Sequence, residues 1–250
     1  MFMWQDMTAE RFQRRFGSGT AETVIRAAVR RYGERTVLTT SFGIQSAVLL
    51  HAATRIYPAI PVIWIDTGYL PTETYRYAEE LKRRFSLNLH VYQSQISPAR
   101  MEALAGRLWE QDDPESLTRY DQLRKVEPLQ RALSDLGARA WLSGVRRDQT
   151  SYRRTLPRAV DHSGIVKIHP LLPWTDADVD AYVLSHELPR HPLEERGYVT
   201  VGDAHSSRPV TESDPGGRAT RFRGRKEECG IHLPSTGKPP LAFSVKPFNT

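Results

Sequence analysis

Between residues 37 and 190, short apolar runs alternate with amphipathic stretches of helical period, and this alternation constrains the fold more than any other feature of the sequence. Val37-Leu-Thr-Thr-Ser-Phe42, Pro61-Val-Ile-Trp-Ile-Asp66 and Leu87 to Tyr92 read as strands. The second is of the buried type, rich in β-branched and aromatic residues. Ile44 to Ile56, Thr72 to Phe85 and Tyr120 to Leu136 read as helices; in the second, Tyr75, Ala78, Leu81 and Phe85 recur on one face. Ala140 to Val145 and Ile165 to Leu171 are further strand candidates. Thr175, with Asp178 three residues on, forms a capping-box pattern that opens a helix whose Val179, Tyr182 and Val183 face inward. Such an order predicts an α/β fold: a parallel, twisted sheet with helices on both faces and right-handed crossovers. A ligand then belongs at the carboxyl ends of the strands.

Composition narrows the class. A chain of 250 residues has room for one large domain, and its 39% hydrophobic and 26% charged residues are those of a globular protein. The first dozen residues lack the basic head and apolar run of a secretory signal, and no apolar stretch approaches the ~20 residues of a membrane span. One cysteine excludes an internal disulfide framework and predicts a reducing, cytoplasmic setting. Lys and Arg total 35 against 29 Asp and Glu, a formal +6. The arginines are dispersed, with local excesses at Arg146 to Arg158 and Arg218 to Lys226, and there is no basic helix, RNP-type motif or zinc-finger spacing. That distribution suits a small polyanion rather than nucleic acid or a membrane. After about residue 190 the pattern changes. Arg208 to Gly224 is rich in Pro, Gly, Ser and charge and reads as a mobile linker. The expected organisation is a domain over 1–207, N-terminal helices included, and a flexible C-terminal segment over 208–250.

Three loops and the C-terminal segment carry chemistry-bearing residues. Thr40-Ser-Phe-Gly-Ile-Gln-Ser46 follows a strand and opens a helix, so Gly43 permits close backbone approach, the helix start offers N–H groups to an anion, and Ser41 and Ser46 add hydroxyls. Taken alone, an ordinary tight turn is an equal reading. Asp66-Thr67-Gly68-Tyr69 ends a strand with a carboxylate, a hydroxyl and a flexible glycine, suited to a base or ribose, or simply to a turn. Gly144-Val-Arg-Arg-Asp-Gln149 places Arg146 and Arg147 at a strand end, where guanidinium groups can clamp phosphate or sulfate oxygens; a solvated basic loop is the plainer alternative. Cys229, beside Gly230 in a polar stretch beyond the linker, is placed for exposure rather than burial. Arg223, Arg225 and Lys226 would lower its pKa and Glu227 and Glu228 oppose them, while His232 is a candidate assistant or a solvent-exposed bystander.

The spacing Ser-x-Gly-x-x-Ser at 41–46 resembles the modified P-loop of the ATP-pyrophosphatase superfamily, with its adenine-nucleotide α-hydrolase-like fold. Phe42 stands where those enzymes have glycine and Gln45 where they have aspartate, which points to nucleotide binding without ATP cleavage. Together with Ile65-Asp-Thr-Gly-Tyr69, Leu123-Arg-Lys-Val-Glu-Pro-Leu129, Gly144-Val-Arg-Arg147 and Lys226-Glu-Glu-Cys-Gly-Ile-His232, in that order, the chain resembles the 3′-phosphoadenylyl sulfate (PAPS) reductases of assimilatory sulfate reduction, over roughly residues 35 to 232. Glu227 departs from the small polar or basic residue usual there, and the tail beyond His232 is longer. The related adenylyl sulfate reductases hold an iron–sulfur cluster on two cysteine pairs. The corresponding positions here are Tyr120 with Asp121, and Asp203 with Ser206, so the resemblance implies a cluster-free enzyme with no bound cofactor and no metal.

What the resemblance implies is a thioredoxin-dependent oxidoreductase of cysteine biosynthesis. Adenosine would sit on Ser41, Gly43, Gln45 and Ser46 and on Asp66, Thr67, Gly68 and Tyr69; Lys125, Arg146, Arg147 and Arg221 would hold phosphate and sulfate oxygens. Cys229 would attack the sulfonate sulfur and be left as a thiosulfonate. Since the chain has no second cysteine, an external dithiol, thioredoxin or glutaredoxin, must release sulfite. A homodimer is the implied assembly. The alternatives are a cluster-free adenylyl sulfate reductase, a modified-P-loop RNA-modifying enzyme, and a non-catalytic nucleotide-binding regulator.

Overall fold

The computed structural model describes residues 7–214 together with 220, 221, 224, 228, 230 and 231. Two helices, α1 (Ala9–Phe16) and α2 (Ala21–Tyr32), lead into β1 (Thr36–Thr40). Each is capped by a threonine, Thr8 and Thr20, whose hydroxyl accepts an N–H from the first turn. There follow α3 (Ser46–Ile56), β2 (Pro61–Ile65), α4 (Thr72–Phe85), β3 (Asn88–Tyr92), α5 (Pro98–Ala105) and α6 (Pro114–Asp121). A π-helical turn over Gln122–Val126 joins α6 to α7 (Glu127–Asp135). The chain continues through β4 (Ala140–Leu142), α8 (Ser151–Arg154), β5 (Ala159–His162), β6 (Ile165–Ile168) and α9 (Asp176–Ser185).

The strands form a six-stranded sheet in the order β3-β2-β1-β4-β6-β5. All pairings are parallel except β5 with β6. The five-stranded parallel sheet is the one expected from sequence, and β5 adds an antiparallel edge strand to it. Ser163 and Gly164, both at positive φ (54° and 82°), turn the chain tightly enough to lay it back antiparallel on the sheet edge.

Strand alternation divides the core. Leu38, Val62, Trp64, Leu142 and Ile168 pack on one face with α2, α3, α4 and α9. Val37, Ile63 and Trp141 pack on the other against Leu129, Ala132 and Leu133 of α7. Helices therefore cover both faces, as period-2 burial of a central sheet requires. A smaller cluster around Met101, Trp109, Leu117 and Tyr120 sits beneath α5 and α6.

The helix expected over Tyr120 to Leu136 begins earlier, at Pro114, because Asp113 caps it and proline suits the first helical turn. It is also interrupted by the π turn, which leaves three consecutive residues, Leu123, Arg124 and Lys125, buried. Among the described residues no helix is long and apolar enough to cross a membrane. The strand order reverses between β1 and β4, so the loops leaving their carboxyl ends diverge and open a crevice between them.

Candidate active site

The crevice is a cleft of about 710 Å³. Its first wall is the 41–46 loop. Phe42 takes the left-handed conformation (φ 47°), the backbone state that glycine adopts without strain. Its ring is fully buried and packs edge-on against Trp64 at 4.9 Å, which holds the turn. Gln45 stands at the N-cap of α3 but its side chain makes no capping bond; the Ser46 N–H bonds the Gly43 carbonyl (3.0 Å), which closes the turn.

Gln45 is instead tied across the cleft. Its Nε2 donates to Asp176 Oδ1 (2.8 Å), and its Oε1 accepts from Arg146 Nη2 (2.5 Å). Arg146 Nη2 also donates to Asp176 Oδ1 at 2.6 Å, and Nη1 reaches the Trp174 carbonyl. Burial raises the Asp176 carboxyl, but the bonds from Gln45 and Arg146 outweigh it and leave a net lowering. The arginine is buried and held at a fixed angle, as an oxyanion clamp must be. Its neighbour Arg147 is exposed and does not line the cleft; its backbone N–H bonds the Leu172 carbonyl. The two adjacent arginines thus occupy separate environments.

The Asp66–Tyr69 loop divides in the same way. Thr67 lines the cleft, whereas Asp66, Gly68 and Tyr69 lie behind it. Asp66 accepts from Gly68 N (2.8 Å), Tyr75 Oη (2.7 Å) and Gln93 Nε2 (2.6 Å), so its carboxylate organises the loop. Gly68 has φ 76°, and a Cβ there would strike Pro98 and crowd the Arg124 guanidinium. Tyr69 Oη donates to Glu102 at 2.8 Å; burial first, then that carboxylate, pushes its phenol well above the usual range. Arg124, 1% exposed, grips the Thr67 and Ile96 carbonyls and braces the loop from beneath.

On the next wall Lys125 Nζ lies 3.1 Å from Asp121 Oδ1 and 2.9 Å from Asp203 Oδ2. Asp203 also accepts a short hydrogen bond from the Thr67 hydroxyl. Burial would raise the Asp203 carboxyl, but the charges of Lys125 and Arg221 and the Thr67 bond hold it well below the usual carboxylate range. Arg221 Nη2 reaches Ser206 Oγ, and its guanidinium fills the space that a side chain at Gly202 would need. Tyr120, Asp121, Asp203 and Ser206 therefore converge on one polar knot. These are the four positions matched in sequence to the cluster cysteines of adenylyl sulfate reductases, and they hold two carboxylates, a phenol and a hydroxyl.

The C-terminal segment reaches the same cleft. Glu228 Oε1 accepts from Arg153 Nε (2.7 Å) and Thr150 Oγ1 (2.7 Å), and its Oε2 from Arg153 Nη2 (2.8 Å). Both side chains are buried, at 5% and 7% exposure. The Ile231 carbonyl accepts from Lys167 Nζ at 3.1 Å, and Ile231 lines the cleft and packs against the α7 face of the core. The negative charge of Glu228, set against thiolate formation on sequence grounds, is thus compensated by a bidentate arginine. Cys229 and His232 lie outside the described residues, but Cys229 is covalently joined to Glu228 and Gly230, which do not.

Of the site residues expected from sequence, Ser41, Gly43, Gln45, Ser46, Thr67, Lys125, Arg146 and Arg221 line the cleft. Sequence reasoning missed Arg153, Asp176 and Asp203, which line it too. Their significance lies in partners 30 to 136 residues distant, which no local pattern signals.

Comparison with known proteins is consistent with this geometry. The family model described as phosphoadenosine phosphosulfate reductase domain matches residues 35–209. A phosphoadenosine 5′-phosphosulfate reductase of Synechococcus sp. is 60% identical over 85% of this chain and 92% of its own length. One from Synechocystis sp. is 57% identical over 87% of each. The crystal structure of a phosphoadenylyl-sulfate reductase from Candida auris, a phosphate complex, superposes with a TM-score of 0.69 at 30% identity, covering 82% of this chain and 98% of that one. An FMN adenylyltransferase of Candida glabrata, 16% identical with a TM-score of 0.57 over 84% of this chain and 71% of that one, shares the fold.

Proposed function

The chain belongs to the phosphoadenosine phosphosulfate reductase family, and we propose that it reduces PAPS to sulfite and adenosine 3′,5′-bisphosphate with thioredoxin as electron donor and no iron–sulfur cluster. The observation that carries this reading is the cleft. It lies at the carboxyl ends of the strands, four cationic side chains (Lys125, Arg146, Arg153 and Arg221) line it, and residues adjoining Cys229 are docked at its wall. A phosphorylated mononucleotide with a transferable sulfonate matches those cationic side chains, and the lone thiol of the chain matches the need for a nucleophile.

In this mechanism the Cys229 thiolate attacks the sulfonate sulfur. An S–S bond forms, the bond from sulfur to the 5′-phosphate oxygen breaks, and the bisphosphate departs with that electron pair. Arg146, fixed by Gln45 and Asp176, stabilises the departing phosphate. One thiol of reduced thioredoxin then attacks the Cys229 sulfur. Sulfite leaves with two electrons, and the second thioredoxin thiol resolves the mixed disulfide, returning Cys229 as thiol. His232 is placed in sequence to assist the thiol. The enzyme would act in the cytoplasm as a homodimer.

Turnover of PAPS and adenylyl sulfate, measured side by side with reduced thioredoxin, tests the substrate assignment. A preference for PAPS of about tenfold or more in kcat/KM, at least 1.4 kcal/mol, is the expected result. Comparable rates would instead favour a cluster-free adenylyl sulfate reductase, and no turnover of either a nucleotide-binding regulator.

A further inference from the structure

We propose that Asp121 and Asp203 are positioning residues for Lys125: they aim its ammonium at the cleft and set the net charge of that wall. The proposal rests on the reading of the cleft as a polyanion site. Lys125 lies on the π-helical turn, not on a regular helix, and that turn carries its side chain inward beside Arg124. The ammonium is then enclosed from three directions, by Asp121 (3.1 Å), Asp203 (2.9 Å) and the Tyr120 ring (5.1 Å to its centroid). An ammonium has three N–H donors in tetrahedral array, so two carboxylates fix its orientation. Asp121 and Asp203 are 2% and 1% exposed, so neither is a solvated counter-ion. Asp203 is itself anchored by Thr67, which ties Lys125 to the Asp66–Tyr69 loop.

The charge count shows why the arrangement bears on binding. Lys125 with its two carboxylates carries a formal −1, which Arg221, also on this wall, brings to zero. On the opposite wall Arg146 is likewise paired one to one, with the largely exposed Asp176. A polyanion therefore meets two walls whose charges are balanced by ion pairs and whose donors, Lys125 and Arg146, are held in fixed directions. A site of this kind orients its ligand and does not merely accumulate negative charge.

The test is Asp121→Asn, which keeps the side-chain shape and removes one charge. Binding of adenosine 3′,5′-bisphosphate, read by calorimetry at several salt concentrations, should tighten by about fivefold at low ionic strength as the wall becomes positive, and the gain should shrink with added salt. Turnover of PAPS should move the opposite way, with kcat falling by about tenfold or more as the ammonium loses its fixed direction. Asp121→Glu, which restores the charge, should return bisphosphate affinity to within about twofold of wild type. A structural ion pair alone would lower the melting temperature and leave affinity and kcat of the folded fraction unchanged. Unchanged or weaker binding in Asp121→Asn, or retained kcat, overturns the proposal. Failure of the wild-type protein to bind the bisphosphate would overturn instead the reading of the cleft on which it rests.

Discussion

Replacing Glu228 by glutamine removes one charge from an ion pair that is buried on both sides. Glu228 accepts two bonds from Arg153 and one from Thr150, all between 2.7 and 2.8 Å. The amide can keep the oxygen that faces Arg153 Nε and Thr150, but its nitrogen then faces Arg153 Nη2, donor against donor. Breaking a buried pair in this way costs about 3–5 kcal/mol. The domain core need not bear that cost, because among the described residues beyond 214 the one apolar side chain packed against it is Ile231. The loss should therefore fall on local release of the C-terminal segment. A shift of about 3 kcal/mol multiplies the released population roughly 150-fold. Limited digestion with trypsin, following cleavage after the half-buried Arg221, measures that population directly. Cleavage should accelerate by about two orders of magnitude while the melting temperature of the domain changes by only a few degrees. In an Arg153→Met background the same substitution should add little, since its partner is already gone. Cleavage within about threefold of wild type, or a fall in melting temperature equivalent to the whole 3–5 kcal/mol, would refute the reasoning.

Two further perturbations follow from the same structure. Phe42→Gly relieves a left-handed conformation worth about 1–2 kcal/mol but removes a fully buried ring worth about 3–5 kcal/mol, so urea denaturation should show a net loss of about 2 kcal/mol; a stabilised variant would mean the ring contributes little. His169 and His191 are buried, and burial lowers their pKa values to about 3 and about 4. Both are depressed below the unfolded value near 6.5, so unfolding takes up protons below that pH: their contribution is fully present above 6.5 and is lost as pH falls toward 4. The slope should approach about 1.4 kcal/mol per pH unit for each histidine, and a flat denaturation profile between pH 6.5 and 4.5 would contradict the assignment.

The elements most legible in the sequence are those whose signals are local. The helix Thr72–Phe85 and the Thr175–Asp178 capping box are found where their periodicity and cap chemistry place them. The β5–β6 hairpin carried a signal too, the Ser163-Gly164 pair between β-branched residues, but its strands are too short to stand out. The π turn left no such mark, because its cause is tertiary: the side chains it buries are held by partners elsewhere in the chain. The site divides along the same line. Loops at strand ends could be read from the strand–helix order, so the cleft was foreseeable. The roles of Arg153 as holder of Glu228 and of Asp203 as partner to Lys125 depend on contacts across 75 to 78 residues. Arg146 and Arg147 show the limit of reading a motif as a unit: adjacent in sequence at the end of β4, one faces the cleft and the other solvent.

The central claim is covalent chemistry at Cys229, and intact-protein mass spectrometry after mixing with PAPS in the absence of reductant tests it most directly. The account predicts one added SO₃ group on Cys229, released bisphosphate stoichiometric with enzyme, and discharge of the adduct as sulfite when reduced thioredoxin is added. Cys229→Ser should give neither adduct nor sulfite while still binding the bisphosphate. Sulfite production by that variant, or wild-type turnover in which bisphosphate appears only together with thioredoxin and no adduct forms, would contradict it.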